Sequence, residues 1–321
     1  MNKSDKIYIA GHNGLVGSAI YRNLQSNGYN NIITRTHKEL DLTNQNAVEN
    51  FFVNEKPEYI FLAAAKVGGI GANSAYPAEF IYINTMIGFN IVHSAYKHEV
   101  KKLINLGSSC IYPKNAPQPM KEEYLLSDYL EPTNEAYAIA KINVIKLCTF
   151  YNRQYGTNFL SVMPTNLYGP GDNYDSFDSH VLPALIRKFH EAKVSGKDSV
   201  TLWGDGSPRR EFLFSDDLAQ AVVYLMNNKN ALDLSIATGD FINAGFGSDL
   251  TILNLAEIVR DVIFDGIQNR NCEILWDTSQ PNGTFQKLLD ISRIKALGFF
   301  PKTDLKEGIK ISYNDFINNH C

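Results

Sequence analysis

A phenol and an ammonium stand four residues apart in Tyr137-Ala138-Ile139-Ala140-Lys141, and a helix there sets both side chains on one face. A nearby cation lowers a phenol pKa from about 10 toward the working range, so Tyr137 is placed to pass a proton to or from a substrate oxygen. With 17 tyrosines in the chain, such a pair can arise by accident, so its company matters. Ser108-Ser109-Cys110 follows the apolar run Lys102 to Leu106. If that run is a parallel strand, Ser108 sits at its carboxyl end and offers a hydroxyl to a carbonyl.

A second constellation lies at the start of the chain. Ile7-Tyr8-Ile9-Ala10 leads directly into Gly11-His12-Asn13-Gly14-Leu15-Val16-Gly17 and then a helix-compatible segment. Glycines at that spacing let the backbone turn, approach a pyrophosphate and pack helix on strand, with the helix N-terminus facing the anion. The next strand ends Thr34-Arg35-Thr36-His37-Lys38, where an NAD-selective site would carry an acid to hold the ribose; cations there suit a 2′-phosphate. Asp41 and Leu42 follow, within reach of an adenine.

These groups need a frame. Short apolar runs at Ile7 to Ala10, Ile32 to Thr34, Tyr59 to Ala65, Lys102 to Leu106 and Phe159 to Met163 alternate with longer helix-compatible stretches. Such alternation predicts a doubly wound α/β fold, a parallel Rossmann-type sheet covered by helices on both faces. Thr165 to Asn173 reads as loop. We expect a cofactor-binding domain over 1–168, rejoined by about 211–245, and a smaller C-terminal α/β substrate-binding domain over 169–210 and 246–321. A strand at Ile242-Asn243-Ala244 and a helix over Leu253 to Ile263 fall in the later part, with either location open to them.

Composition narrows the function. The chain has 321 residues, 44% of them hydrophobic, enough for a large core. A net charge of −4 and a pI near 6.0 supply no basic field for nucleic acid or a membrane surface. No apolar run approaches the roughly 20 residues that span a bilayer, and Met1 to Lys6 do not read as a signal peptide. Cys110, Cys148, Cys272 and Cys321 show no paired or metal-ligand spacing, which fits reduced thiols in the cytoplasm; Cys321 receives no role.

Gly11 to Gly17, Leu62 to Ile70, Leu106-Gly107-Ser108-Ser109-Cys110-Ile111-Tyr112-Pro113, Glu131 to Lys141, Met163 to Pro170 and Ser179-His180-Val181-Leu182-Pro183-Ala184-Leu185 together closely resemble the GDP-L-fucose synthase family of extended short-chain dehydrogenases. The resemblance spans nearly the whole chain. It implies conversion of GDP-4-keto-6-deoxymannose to GDP-L-fucose, by epimerisation at carbons 3 and 5 and reduction at carbon 4 with NADPH, and a homodimer joined through helices of the cofactor domain. It also implies Cys110 as base, His180 as acid, Ser108 and Tyr137 at the carbonyl, and Lys141 on the nicotinamide ribose. The cofactor contacts it suggests further include Ala63, Ala65, Leu106, Pro164, Asn166, Leu167 and His180. For the GDP sugar it suggests Ser109, Lys188, Trp203, Arg210, Asn282 and Lys287.

The sequence departs from the pattern in places. Asn13 and His37 stand where the family carries arginines at the 2′-phosphate, so NADH remains an alternative, with Arg35 and Lys38 as compensating cations. Asn282 replaces an acidic residue. Reduction of a GDP-4-keto-6-deoxy-heptose, epimerised by another enzyme, is the rival reading. A 4,6-dehydratase would carry an acid beside Ser108, and a non-enzymatic cofactor sensor would lack the intact Ser/Tyr/Lys set.

Overall fold

The computed structural model describes residues 1–175, 179–266, 272–280, 282 and 284–320, so Cys321 lies outside the described residues. The first half alternates as β1 (Ile7–Ala10), α1 (Leu15–Ser26), β2 (Ile32–Arg35), α2 (Gln45–Glu55), β3 (Tyr59–Leu62), α3 (Ile70–Ala75), α4 (Pro77–Lys97), β4 (Lys102–Leu106), α5 (Glu135–Tyr155) and β5 (Phe159–Pro164). The chain continues through β6 (Asn166–Tyr168), α6 (Val181–Ser195), β7 (Ser199–Trp203), β8 (Arg209–Arg210), β9 (Phe212–Phe214), α7 (Ser215–Asn228) and α8 (Ala231–Leu234). After these come β10 (Ser235–Ile236), β11 (Gly239–Ala244), β12 (Leu250–Thr251), α9 (Ile252–Ile263), β13 (Glu273–Asp277), β14 (Gln286–Lys287), α10 (Ser292–Ala296) and α11 (Leu305–His320).

Seven strands form one sheet in the order β10-β11-β5-β4-β3-β1-β2. Its strands are parallel except β10, which runs antiparallel to β11 at one edge. Alternate side chains go to opposite faces. Ile7, Ile9 and Phe61 pack with Ile20 and Leu24 of α1 and Leu218 and Val222 of α7. Tyr8, Ala10, Ile60 and Leu62 pack with Phe52 of α2 and Ile91 of α4. Covering both faces removes the need for polar alternation, which explains the unbroken apolar runs in the sequence. At the foot of the sheet, Lys102 donates its ammonium to the carbonyls of Leu225 (2.8 Å), Met226 (2.7 Å) and Lys229, closing the carboxyl end of α7.

The strand read at Ile242 to Ala244 lies in β11 and pairs with β5, while α9 packs in a separate core with Leu185, Ile186, Phe189 and Ile309. Two details differ from the sequence reading. Within Thr165 to Asn173, read as loop, Asn166, Leu167 and Tyr168 form a short strand parallel to Phe212, Leu213 and Phe214; its Asn content and the Gly and Pro that follow masked three residues whose partner lies far along the chain. Leu289, Ile291, Ile294 and Phe299, grouped by sequence with 246–321, pack in the core of the large sheet instead.

Candidate active site

The carboxyl end of β4 turns sharply into a short 3-10 helix, Ser109–Ile111, and Ser108 caps it by accepting the Cys110 N–H at 3.4 Å. The cap fixes Ser108 and Cys110 on one turn. Opposite, α5 carries Tyr137 and Lys141 one helical turn apart, with the ammonium 5.6 Å from the phenol ring centroid. Lys141 is buried, and its Nζ donates to the Leu106 carbonyl at 2.8 Å, tying α5 to the end of β4. Phe80 of α4 meets the Tyr137 ring edge to face at 6.2 Å.

Burial sets the proton affinities of this cluster. It pushes the Lys141 ammonium down to about 8, with the Cys110 thiol as an opposing influence. It raises the Cys110 thiol, against the Ser108 hydroxyl hydrogen bond and the Lys287 and Lys141 cations, which favour thiolate. The expectation that Lys141 lowers the Tyr137 phenol is reversed, because burial dominates and holds the phenol well above its usual value. A phenol that keeps its proton at neutral pH suits an acid in the reducing direction.

The glycine turn is built as a cradle. Gly11 has φ +87°, and a Cβ there would stand 2.6 Å from the Ala64 nitrogen; one on Gly17 would meet the Gly11 carbonyl at 2.0 Å. The loop therefore presses on the end of β3, where the Ala63 N–H reaches the Ala10 carbonyl at 2.9 Å. Gly14 caps α1 without a side-chain bond, no acid lies in the first turn, and Leu15 and Val16 begin the helix, so its N–H groups point at an anion site. These residues fit a dinucleotide diphosphate. His12 and Asn13 sit on the same turn.

The 2′-phosphate end is less complete than the sequence reading held. Arg35 turns away, over the Phe51 ring at 5.8 Å, to donate to Glu55 at the carboxyl end of α2 and to the Thr34 carbonyl at 2.7 Å. Glu55 attracts it there because α2 brings a carboxylate alongside β2. His37 and Lys38 remain exposed beyond the strand. Asp41 spends one carboxylate oxygen on Thr43, through its N–H at 2.9 Å and hydroxyl at 2.8 Å, and Leu42 is buried. Arg35→Ala is therefore expected to leave KM for NADPH within about twofold, while Lys38→Ala raises it about fivefold, the size of one exposed ion pair. Initial rates against NADPH check this, and an equal effect of the two variants would contradict it.

On the substrate side, β8 and β14 run parallel with Lys287 beside Arg210. Burial depresses both cations, Arg210 adds to the effect on Lys287, and Lys287 in turn acts on Cys110. Two adjacent, partly desolvated cations carry the charge that pairs with a diphosphate. Lys188 of α6 donates to the Thr201 carbonyl at 3.2 Å, near the exposed Trp203 at the end of β7.

Residues 7–244 match the family described as NAD dependent epimerase/dehydratase. The chain is 53% identical over 321 residues to GDP-L-fucose synthase 1 of Arabidopsis thaliana, covering 100% of this chain and 95% of that one. It is 49% identical over 316 residues to GDP-L-fucose synthase of Escherichia coli (strain K12), covering 98% and 97%. The chain belongs to the GDP-L-fucose synthase family. In three dimensions it is similar to a GDP-mannoheptose C4 reductase from Campylobacter jejuni with NADP bound, with 42% identity, a TM-score of 0.90 and 99% of each chain covered.

Not every residue expected from the family resemblance joins the central cluster. His180 is exposed at the N-cap of α6. Asn282, exposed, accepts the Asp205 N–H at 3.0 Å, holding the turn after Trp203. Pro164 ends β5 against Ala244, Asn166 donates to the Glu211 carbonyl at 2.8 Å, and Leu167 pairs with Leu213, placing this segment at the cofactor end of the sheet. Ala65 and Ser109 are partly exposed at the ends of β3 and β4. A cavity of about 730 Å³ between α6 and α11, lined in part by Tyr174, His190 and Phe316, shares no residue with the catalytic cluster.

Sequence reasoning missed Asn84. Buried in α4, it accepts the Lys66 N–H at 2.8 Å and donates to the Lys66 carbonyl at 3.0 Å, clamping the segment that continues from Ala63 and Ala65. The available signal was an asparagine among apolar neighbours, Tyr82-Ile83-Asn84, though α4 buries a second one at Asn90.

Proposed function

We propose that this chain is an NADPH-dependent enzyme that epimerises carbons 3 and 5 of GDP-4-keto-6-deoxymannose and reduces carbon 4, giving GDP-L-fucose. The supporting observation is the convergence of Ser108, Cys110, Tyr137 and Lys141 at the carboxyl end of β4, with Lys287 acting on the thiol. NADPH, when bound in the Gly11 to Gly17 cradle, supplies the hydride. The residues of the chain do the rest.

A ketone at carbon 4 acidifies the hydrogens on carbons 3 and 5. Cys110, as thiolate, removes one of them; Ser108 and Tyr137 hydrogen-bond the carbonyl oxygen and stabilise the enolate; His180 returns a proton from the other face. Once the Cys110 thiol has given its proton to solvent and His180 has taken one up, the second centre repeats the sequence, and reduction follows when carbon 4 receives a hydride and Tyr137 gives its proton to the carbon 4 oxygen. Lys141 orients the cofactor ribose and the phenol. Arg210 and Lys287 hold the diphosphate, Lys188 supports the nucleotide, and Trp203 offers a face for the base.

The test is incubation with NADPH and GDP-4-keto-6-deoxymannose in deuterated water, followed by NMR of the product. GDP-L-fucose labelled at carbons 3 and 5 is expected. A reduced but unepimerised and unlabelled sugar would support the second reading, a carbon 4 reductase of a GDP-4-keto-6-deoxy-heptose, which the similarity to the Campylobacter reductase favours.

The same proposal includes a homodimer and a cytoplasmic setting. Tyr82 and Phe89 of α4 and Phe150 and Tyr155 of α5 are exposed aromatics on neighbouring helices, as an association face requires. Sedimentation is expected to read twice the 36.0 kDa chain mass; a monomer at micromolar concentration contradicts it. Cys110, Cys148 and Cys272 form no disulfide among the described residues, which agrees with a reducing compartment. Among the described residues no helix is long and apolar enough to cross a membrane.

A further inference from the structure

Glu211 takes no part in the chemistry above, yet it is fully buried and, among the described residues, pairs with no cation. Its Oε1 accepts the Gly247 N–H at 2.6 Å and its Oε2 accepts the Leu289 N–H at 3.0 Å. Its carbonyl accepts the Thr165 hydroxyl at 3.3 Å and the Asn166 amide at 2.8 Å. One residue thereby joins the segment leaving β5 at the cofactor end to the segment just beyond Lys287. Its chain neighbour is Arg210, whose β-partner is Lys287.

Only an acceptor suits this position, since both carboxylate oxygens meet backbone N–H groups; an amide would turn its NH₂ toward one of them. The fit is close, for a Cβ on Gly245 would stand 2.3 Å from Oε1. Burial raises this carboxyl while the backbone donors favour its charged form.

We propose that Glu211 is a positioning residue that fixes the Arg210 and Lys287 cations in register with the cofactor half of the cleft. A diphosphate held by both cations then places its sugar at Tyr137. This rests on the nucleotide-sugar reading of the Arg210 and Lys287 site.

The probe is GDP, titrated calorimetrically into wild type, Glu211→Gln and Gly245→Ala, with NADPH titrated in parallel by fluorescence. In both variants the GDP Kd should rise about tenfold, the effect of leaving a buried hydrogen-bonding group unmatched, and KM for the keto sugar should rise with it. The NADPH Kd should stay within about twofold and kcat within about threefold. A Glu211→Gln protein that is folded and binds GDP like wild type overturns the proposal, as does parallel weakening of GDP and NADPH, the mark of general destabilisation. Wild type that fails to bind GDP would instead remove the nucleotide-sugar reading. Should both variants fail to fold, hydrogen exchange on wild type decides: the Gly247 and Leu289 amides should be protected further by GDP and not by NADPH alone, and unchanged protection counts against it.

Discussion

Tyr137→Phe should lose about 10²- to 10⁴-fold in carbon 4 reduction and less in exchange of solvent deuterium into carbons 3 and 5 of the keto sugar, because Ser108 still hydrogen-bonds the enolate oxygen. Removing the phenolic oxygen deletes the acid proposed to protonate the carbon 4 oxygen, and general acid catalysis carries an effect of that size. Packing changes little, because phenylalanine keeps the ring that meets Phe80 edge to face. Stopped-flow oxidation of NADPH reads the reduction, and mass analysis of recovered sugar reads the exchange. A variant that lost both equally would contradict a proton-donating role for Tyr137 beyond the hydrogen bond it shares with Ser108. The pH profile follows from the neighbour on the same helix face. Lys141 is pushed down to about 8 by burial, so it is an ammonium below that pH and an amine above it. With Lys141 proposed to orient the ribose and phenol in its charged form, kcat/KM for reduction should fall as pH rises through about 8. A rate flat to pH 10 would remove Lys141 from that role.

Cys110→Ala should give the complementary result. Deuterium incorporation at carbons 3 and 5 should fall by about 10²- to 10⁴-fold, the range for a lost proton-transfer residue, while a sugar supplied already epimerised is reduced at near the wild-type rate. Burial raises this thiol, so its competence as a base depends on the groups that favour thiolate: the Ser108 hydroxyl, Lys287 and Lys141. A bound diphosphate would engage Lys287 and alter that balance, which makes the base responsive to substrate. NMR of product formed in deuterated water separates the outcomes. Undiminished labelling in Cys110→Ala would place the base elsewhere, and full loss of reduction as well would mean the turn of Ser108 had collapsed.

Much of this site was legible because its residues are local. Gly11 to Gly17 sit on one turn, Ser108 and Cys110 on another, Tyr137 and Lys141 on one helix face, and each pattern shows its chemistry in a few consecutive letters. The strands were legible for a related reason: Ile7 to Ala10 and Lys102 to Leu106 are buried on both faces, and only apolar runs survive there. What stayed hidden depends on direction and distance. Sequence showed that Arg35 is a cation at the end of β2 but not that Glu55, twenty residues on, would draw it away. It showed Glu211 as one more charge beside two arginines, because its partners are backbone groups at Gly247 and Leu289. The Tyr137 phenol was misread since spacing reveals a neighbouring cation and not the cost of leaving water.

The late arrival of β11 beside β5 bears on synthesis at the ribosome. When Pro164 emerges, β5 has β4 on one side and an open edge on the other, and its partner Gly239–Ala244 has yet to be made. At ~5–20 residues per second that edge waits roughly 4–15 s. During that interval an apolar strand with unpaired backbone groups is available to other nascent chains. Expression of the first 165 residues alone would make the wait permanent, so the N-terminal half is a poor truncation for solution work even though it contains the entire glycine cradle and the Tyr137–Lys141 pair.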